Sequence, residues 1–352
     1  MEIQCFSTID LSDDFFDSLR DSYDGFDDWF RRKAEDGSVA YVFKNHEGQL
    51  LDFLYLKLEE GEVTDTVPHL VAKRRLKVGT FKLKSRGTHR GERFMKKIMD
   101  QAIALEVDEI YLTIFPKADL QYLIDQFYVY GFQQRAEKPH GDRQSEIVLV
   151  KDMRSTVGNI IRDYPFVKQD GVSKYLLSIY PEYHTKLFPD SILRNESYDL
   201  VQDITPTNSI HKIYICWMNG VRLLKHGDLL VIYRTNDGQG PAVFRSVATS
   251  VCTVDEVKIY NDFEDENAFV SYSNRYSIFT DHDLRRWYHQ RPDFVVIKML
   301  YNVAFTKRVI RKTLLEDVGI PGDAYWGFYN LSDQQFRSII NFGLPNERYF
   351  ID

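Results

Sequence analysis

The chain opens with a short alternating run over residues 3–9. It then enters a stretch where Phe15, Leu19, Tyr23, Phe26 and Phe30 recur at helical spacing with acidic residues between them. That spacing predicts a helix over 15–32 with one apolar face. Two alternating runs follow, 39–45 and 50–59, and His46, Glu47 and Gly48 between them have the composition of a hairpin turn. Residues 74–84 read as a long alternating strand, 91–106 as an amphipathic helix, 109–115 as a buried-type strand and 118–130 as a second helix closed by Gly131. Strands over 132–136 and 145–150, joined by a polar loop, complete this first unit.

A polar stretch over 152–172, with Pro165 and Gly171, reads as a linker between a first domain at 1–151 and a second at 173–352. Beyond it short strands dominate, over 212–216, 229–234, 242–254 and 294–305. A helix over 280–289 stops before Pro292, and two more are predicted over 307–317 and 333–342. In the last, Ser332 and Gln335 have capping-box spacing and Gly343 closes the helix. A small β-barrel with helices fits this second pattern better than a parallel sheet does. The expected fold class is therefore α/β in the α+β sense, a mixed sheet followed by a barrel.

A length of 352 residues with 43% apolar composition suits two domains with ordinary cores. The net charge of −7 argues against a general nucleic-acid coat protein but leaves room for local basic patches. Cys5, Cys216 and Cys252 are odd in number, far apart and without metal-ligand spacing, so reduced thiols in a cytoplasmic protein are expected and no metal is. The first ten residues lack the basic and apolar regions of a signal peptide.

One segment carries more chemistry than any other. The alternating strand through Phe81 and Leu83 runs through Arg86-Gly87-Thr88-His89-Arg90-Gly91-Glu92 straight into a helix. Unpaired amides at a helix start, at the positive end of its dipole, suit a pyrophosphate. Lys73, Arg74, Arg75, Lys77, Lys82, Lys84, Arg86, Arg90, Arg93, Lys96 and Lys97 surround that loop, interrupted by Glu92 alone. With Tyr128-Val-Tyr130-Gly131-Phe132 closing the next helix, residues 1–151 resemble the GNAT family of acetyl-CoA-dependent N-acetyltransferases. The resemblance implies that acetyl-CoA lies where the strands over 74–84 and 109–115 splay apart. It also implies that Phe81 and Leu83 polarise the thioester carbonyl with their amides, and that Arg86, Gly87, Thr88, His89, Arg90, Gly91 and Glu92 hold the pyrophosphate. His89 stands where the family has glycine, and Phe127 where it often has a tyrosine acid, which leaves Tyr128 as the candidate acid for the departing thiolate. Glu59, Glu60 and Glu62 are readable either as a base acting through water or as exposed turn residues, so the base stays unassigned.

The second half resembles the ASCH branch of the PUA-like barrels, through the segments around Tyr183 and His184, Ile213 to Cys216, Gly227-Asp228 with the strand behind it, and the strand ending at Val254. That resemblance implies a cleft for RNA or a modified base, with Tyr233, Arg234, Arg245, Tyr325 and Trp326 as stacking and phosphate-contacting candidates. The leading expectation is an acetyl-CoA-dependent N-acetyltransferase whose second domain recruits an RNA-related amine. The alternatives are a coenzyme A-sensing RNA or modified-base binder without turnover, and an acetyltransferase for a protein or polyamine drawn by the early aspartates.

Overall fold

The computed structural model describes residues 1–84, 90–141, 143–189 and 209–352. It divides into two compact units, Met1–Val157 and Gly158–Asp352. Both are mixed α/β units built on mixed sheets.

In the first unit β1 (Glu2–Cys5) is followed by α1 (Asp17–Ser22) and α2 (Phe26–Glu35), then β2 (Val39–Lys44), β3 (Leu50–Val63) and β4 (Leu70–Leu83). Next come α3 (Arg90–Ala104), β5 (Glu109–Ile114), α4 (Gln121–Val129), β6 (Gln133–His140) and β7 (Arg143–Asp152). The sheet order is β1-β2-β3-β4-β5-β7-β6, with β4 and β5 parallel and every other neighbouring pair antiparallel. One sheet face carries α1 and α2 over an aromatic core of Phe6, Phe16, Phe26, Phe30, Phe53 and Tyr55. The opposite face meets α3 and α4, where Phe81 packs edge-on against Phe94 and Phe127.

Several elements differ from the sequence reading. The helix expected over 15–32 is broken at Gly25, whose φ of +75° lies in the left-handed region that favours glycine. The opening strand ends at Cys5 because the chain turns to bury Phe6 and Ile9. Strands β3 and β4 run past their expected ends to a hairpin in which Val63 faces Leu70, and its tip bridges to β6 through Val67 and Glu137.

The second unit contains β8 (Val167–Lys168), β9 (Lys174–Ile179), α5 (Pro181–Leu187), β10 (His211–Cys216), β11 (Leu229–Arg234), α6 (Ala242–Arg245), β12 (Val247–Ile259), α7 (Glu266–Asn274) and α8 (Asp281–Gln290). It closes with β13 (Val295–Ile310), α9 (Arg311–Glu316), β14 (Phe328–Leu331), α10 (Asp333–Gly343) and β15 (Phe350–Ile351). Six strands form a sheet of order β10-β13-β12-β11-β9-β14. No pairing joins β10 to β14 among the described residues, so the expected barrel is here an open sheet, bent by register shifts along β12.

Alternate residues of β10 enter opposite cores, Tyr214 and Cys216 one and Ile213 and Ile215 the other, which explains why its run is apolar without alternation. Pro241 precedes the short helix α6, so the strand expected over 242–254 starts only at Val247. Residues 307–310, expected as helix, continue β13 because Val309 and Ile310 pair with the start of β12. Much of the stretch expected as linker is built into this unit: Tyr164 is fully buried and donates a 3.0 Å hydrogen bond to the Tyr301 carbonyl.

Candidate functional site

The pairing of β4 changes along its length. Against β3 it continues to Leu83, but against β5 it holds only where Arg75, Leu76 and Lys77 face Glu109, Ile110 and Tyr111. Beyond that rung β5 stays paired to β7 as far as Ile114, so residues 78–83 have no strand partner on the β5 side among the described residues. A strand edge of this kind presents amides and carbonyls in a row. The cause is legible in the backbone. Tyr55 faces Thr80 while Leu56 faces Val78, which makes Gly79 the extra residue of a bulge, and bulges bend and twist the strand that carries them. A Cβ at position 79 would stand 2.7 Å from Tyr55 Cδ1, so only glycine fits against that ring.

The helix that follows β4 is fastened at its start. Arg90 is buried, its Nε lies 3.2 Å from Asp52 Oδ2 on β3, and its guanidinium sits 5.5 Å from the Phe43 ring centroid. A Cβ on Gly91 would meet Gln126 Oε1 of α4 at 2.6 Å, and Glu92 is buried. Arg90 and Gly91 thus pack α3 against β3 and α4, and the amides expected to hold a pyrophosphate lie in the first turn of this helix. Arg86, Gly87, Thr88 and His89 lie outside the described residues. Phe81 and Leu83 sit on the open part of β4, Phe81 with its ring turned toward α3 and α4. Tyr128 is exposed on α4, beside Phe127, whose buried ring packs against Phe81 and Phe132.

On the sheet face that carries α1 and α2, two groups of polar side chains flank the opening. At its closed end a cavity of about 490 Å³ is lined by Lys57, Glu59, Asp65, Arg75, Lys77 and Tyr111. Tyr111 donates its phenol to Glu59, and Lys57 lies 2.8 Å from the same carboxylate. Burial pushes the Glu59 carboxyl up, but the hydrogen bonds from Lys57 and Tyr111 and the charge of Lys77 together bring it below its ordinary value. Glu59 is thus a fixed negative charge and a weak base. Two residues further along β5, Thr113 meets Glu146 of β7 together with Tyr23 and His140. Sequence reading passed over this second group, since its members come from four separate segments. The early aspartates are partly neutralised on site: Asp17 and Asp27 share Arg20, Asp28 pairs with Arg31, and Asp14 lies 3.7 Å from Lys84.

In the second unit the candidates separate into pairs. Tyr233 is buried with its ring 5.4 Å from that of half-buried Trp326, and the Arg311 guanidinium lies 4.2 Å over the indole. Arg234 is buried and, with Arg245, converges on Asp237, which holds that carboxyl well below the usual range. Arg245, 26% exposed, binds Asp237 from the solvent side, whereas Arg234 is buried behind it. Tyr325 is exposed and folds back over Gly327, where a Cβ would stand 2.6 Å from its Cζ. Neighbouring His184 is fully buried, and burial, then the charges of Arg234 and Arg308, lower its pKa to about 3. No candidate metal cluster occurs among the described residues, and no helix among them is long and apolar enough to cross a membrane.

The sequence matches no protein-family model and no curated protein. Among solved structures, the chain is similar to ASCH from Zymomonas mobilis, at 9% identity over 48% of this chain and 94% of that one, with a TM-score of 0.33. It is also similar to Chaetomium thermophilum Naa20 in complex with a bisubstrate analogue, at 15% identity over 46% of this chain and 88% of that one, TM-score 0.33. A third similarity is to an acyl-CoA N-acyltransferase from Pseudomonas aeruginosa, at 19% identity over 42% and 97% of the two chains, TM-score 0.28.

Proposed function

We propose that this protein is an acyl-CoA-dependent N-acyltransferase, with acetyl-CoA as the donor. The observation that carries the reading is the departure of β4 from β5 after Lys77, with α3 the next described element of the chain. An acyl-pantetheine arm is narrow, extended and studded with amides, so it fits an interrupted sheet as a further strand. The open amides of residues 78–83 then supply donors to the arm and to the thioester carbonyl, where positive ends of dipoles stabilise the charge that develops on transfer. The first-turn amides of α3 suit the pyrophosphate at the other end. Bound there, the donor supplies the activated acyl group; the chain supplies alignment, polarisation and an acceptor-side wall. Catalysis would rest mainly on proximity.

The test is thermal unfolding with and without acetyl-CoA, followed by thiol release. At a hundred times its Kd a ligand stabilises by about 2.7 kcal/mol, so the first unit should melt several degrees higher. A flat response at millimolar acetyl-CoA would overturn the reading. Spermidine and total tRNA as acceptors separate an aliphatic amine from an RNA-related one. The RNA-related reading is favoured by half-buried Trp326, tilted against Tyr233 and with the Arg311 guanidinium over its indole, since an aromatic ring beside an arginine suits bases. Stabilisation without thiol release from any acceptor would favour a coenzyme A sensor.

A further inference from the structure

Glu146 is only 2% exposed, a placement that costs a carboxylate several kcal/mol unless other donors replace water. Three do. Tyr23 donates its phenol to Oε1 at 3.0 Å, Thr113 its hydroxyl to the same oxygen at 3.1 Å, and His140 Nε2 stands 2.8 Å from Oε2. Tyr23 follows α1, which packs on the β1 to β3 side, whereas Thr113 and Glu146 belong to β5 and β7. The hydrogen bond therefore spans the place where β4 and β5 part.

Phe115 anchors the same wall, with ring centroids 5.4 Å from Tyr23 and 5.3 Å from His140, and Lys117 reaches across to Ser22 Oγ at 3.0 Å. Burial and then the charge of Glu146 push the Tyr23 phenol far up, so it stays a donor. With His140 donating through Nε2 to the carboxylate, its lone pair is on Nδ1. Its side chain is 30% exposed.

We infer that His140, oriented by Glu146, is the proton acceptor for the incoming amine, with Tyr23 and Thr113 as positioning residues. The inference rests on the acyltransferase reading. His140 Nδ1 takes one proton from the acceptor ammonium, leaving a neutral amine. The nitrogen lone pair forms the C–N bond to the acyl carbon, the C–S bond breaks, and the second nitrogen proton leaves with the thiolate sulfur to give free coenzyme A. The imidazolium then returns its proton to solvent. Buried Glu146 fixes the ring through Nε2, and the ammonium of Lys117 lies over Phe115 in the same wall.

The experiment measures thiol release from acetyl-CoA with spermidine, L-lysine amide and a short peptide carrying a free α-amine, across pH 5.5 to 9. For the full chain, His140→Ala should lower kcat/KM by about 10²–10⁴-fold, the range of general-base catalysis. The remaining rate should rise with pH only as bulk solvent deprotonates the amine, a steeper dependence than in the wild-type chain, and be partly restored by added imidazole. Glu146→Gln keeps a similar shape and should lower kcat with little change in KM, as loss of a positioning group does. Thermal shift by acetyl-CoA should be unchanged in both, which shows the fold and donor site intact. Wild-type rates and an unaltered pH profile in His140→Ala would overturn the inference while leaving the acyltransferase reading standing. A variant rate that falls without imidazole rescue and without a change of profile assigns His140 a merely structural role. Absence of thiol release by the wild-type chain with all three amines would overturn this inference, and absence with total tRNA as well would overturn the acyltransferase reading.

Discussion

Replacing Gly79 with alanine perturbs the bulge that parts β4 from β5. The added Cβ would stand 2.7 Å from Tyr55 Cδ1 and 3.1 Å from Cε1. Carbon pairs rest at about 3.5–4.0 Å, so the ring must retreat by about 1 Å. It has little room, because it is 6% exposed and lies 5.1 Å from the Phe6 ring and 5.7 Å from the Trp29 ring. Forcing extra volume into such packing costs about 1–3 kcal/mol. With a urea slope of about 2 kcal/mol/M, the first unit's midpoint should fall by about 0.5–1.5 M with the slope unchanged. Stabilisation by acetyl-CoA should fall in parallel, since the displaced bulge re-aims the open edge. Gly48→Ala is the contrast: φ is +83° and nothing lies within 4 Å, so only left-handed strain of about 1–2 kcal/mol is expected and the acetyl-CoA response should survive. Urea unfolding followed by circular dichroism measures both. A Gly79→Ala chain with wild-type midpoint and wild-type acetyl-CoA response would refute the role given to the bulge.

Arg90→Ala removes one partner of the fully buried Asp52 and should cost up to about 3–5 kcal/mol in the first unit, read by the same unfolding curve; a change below 1 kcal/mol would show that Arg90 is not the anchor of α3. In the second unit, His184 has its pKa lowered from 6.5 to about 3, so the unfolded chain binds a proton there that the folded chain refuses. Its contribution is complete above the unfolded value and is lost as pH falls from about 6.5 toward 3, so a His184→Gln chain should show a flatter stability profile across that window. Trp326→Ala should weaken binding of single-stranded RNA by about 1–3 kcal/mol per stacked base, by fluorescence anisotropy, and leave the acetyl-CoA thermal shift untouched; equal binding by the variant would remove Trp326 from any base-binding surface.

Local pattern carried the succession of elements in the first unit, because amphipathic strands and helices each bury one face and leave a period behind. The helix α3 and the strands β4 and β5 sit within a few residues of their predicted bounds. Gly79 was readable as a glycine inside a strand, a common mark of a bulge or a close approach. That β4 leaves β5 was not, since the choice of strand partner is made by the whole sheet. Tyr23 and Glu146 are 123 residues apart in sequence and meet only through the sheet order, so no spacing rule joins them. The reversed expectation at residues 307–310 has the same origin: the start of β12 needed a partner, and pairing outweighed helical propensity. Arg90 and Arg234 read as phosphate ligands by composition, yet each has a carboxylate beside it, Asp52 and Asp237, a pairing that charge counting along the chain does not register.

Amide hydrogen exchange of residues 78–83, with and without acetyl-CoA, tests the central claim most directly. If the arm of the donor completes the interrupted sheet, the amides of this segment that face the gap should exchange markedly more slowly in its presence, while those of β1 and β2 stay as they were. Unchanged exchange across 78–83 at saturating acetyl-CoA would contradict the account.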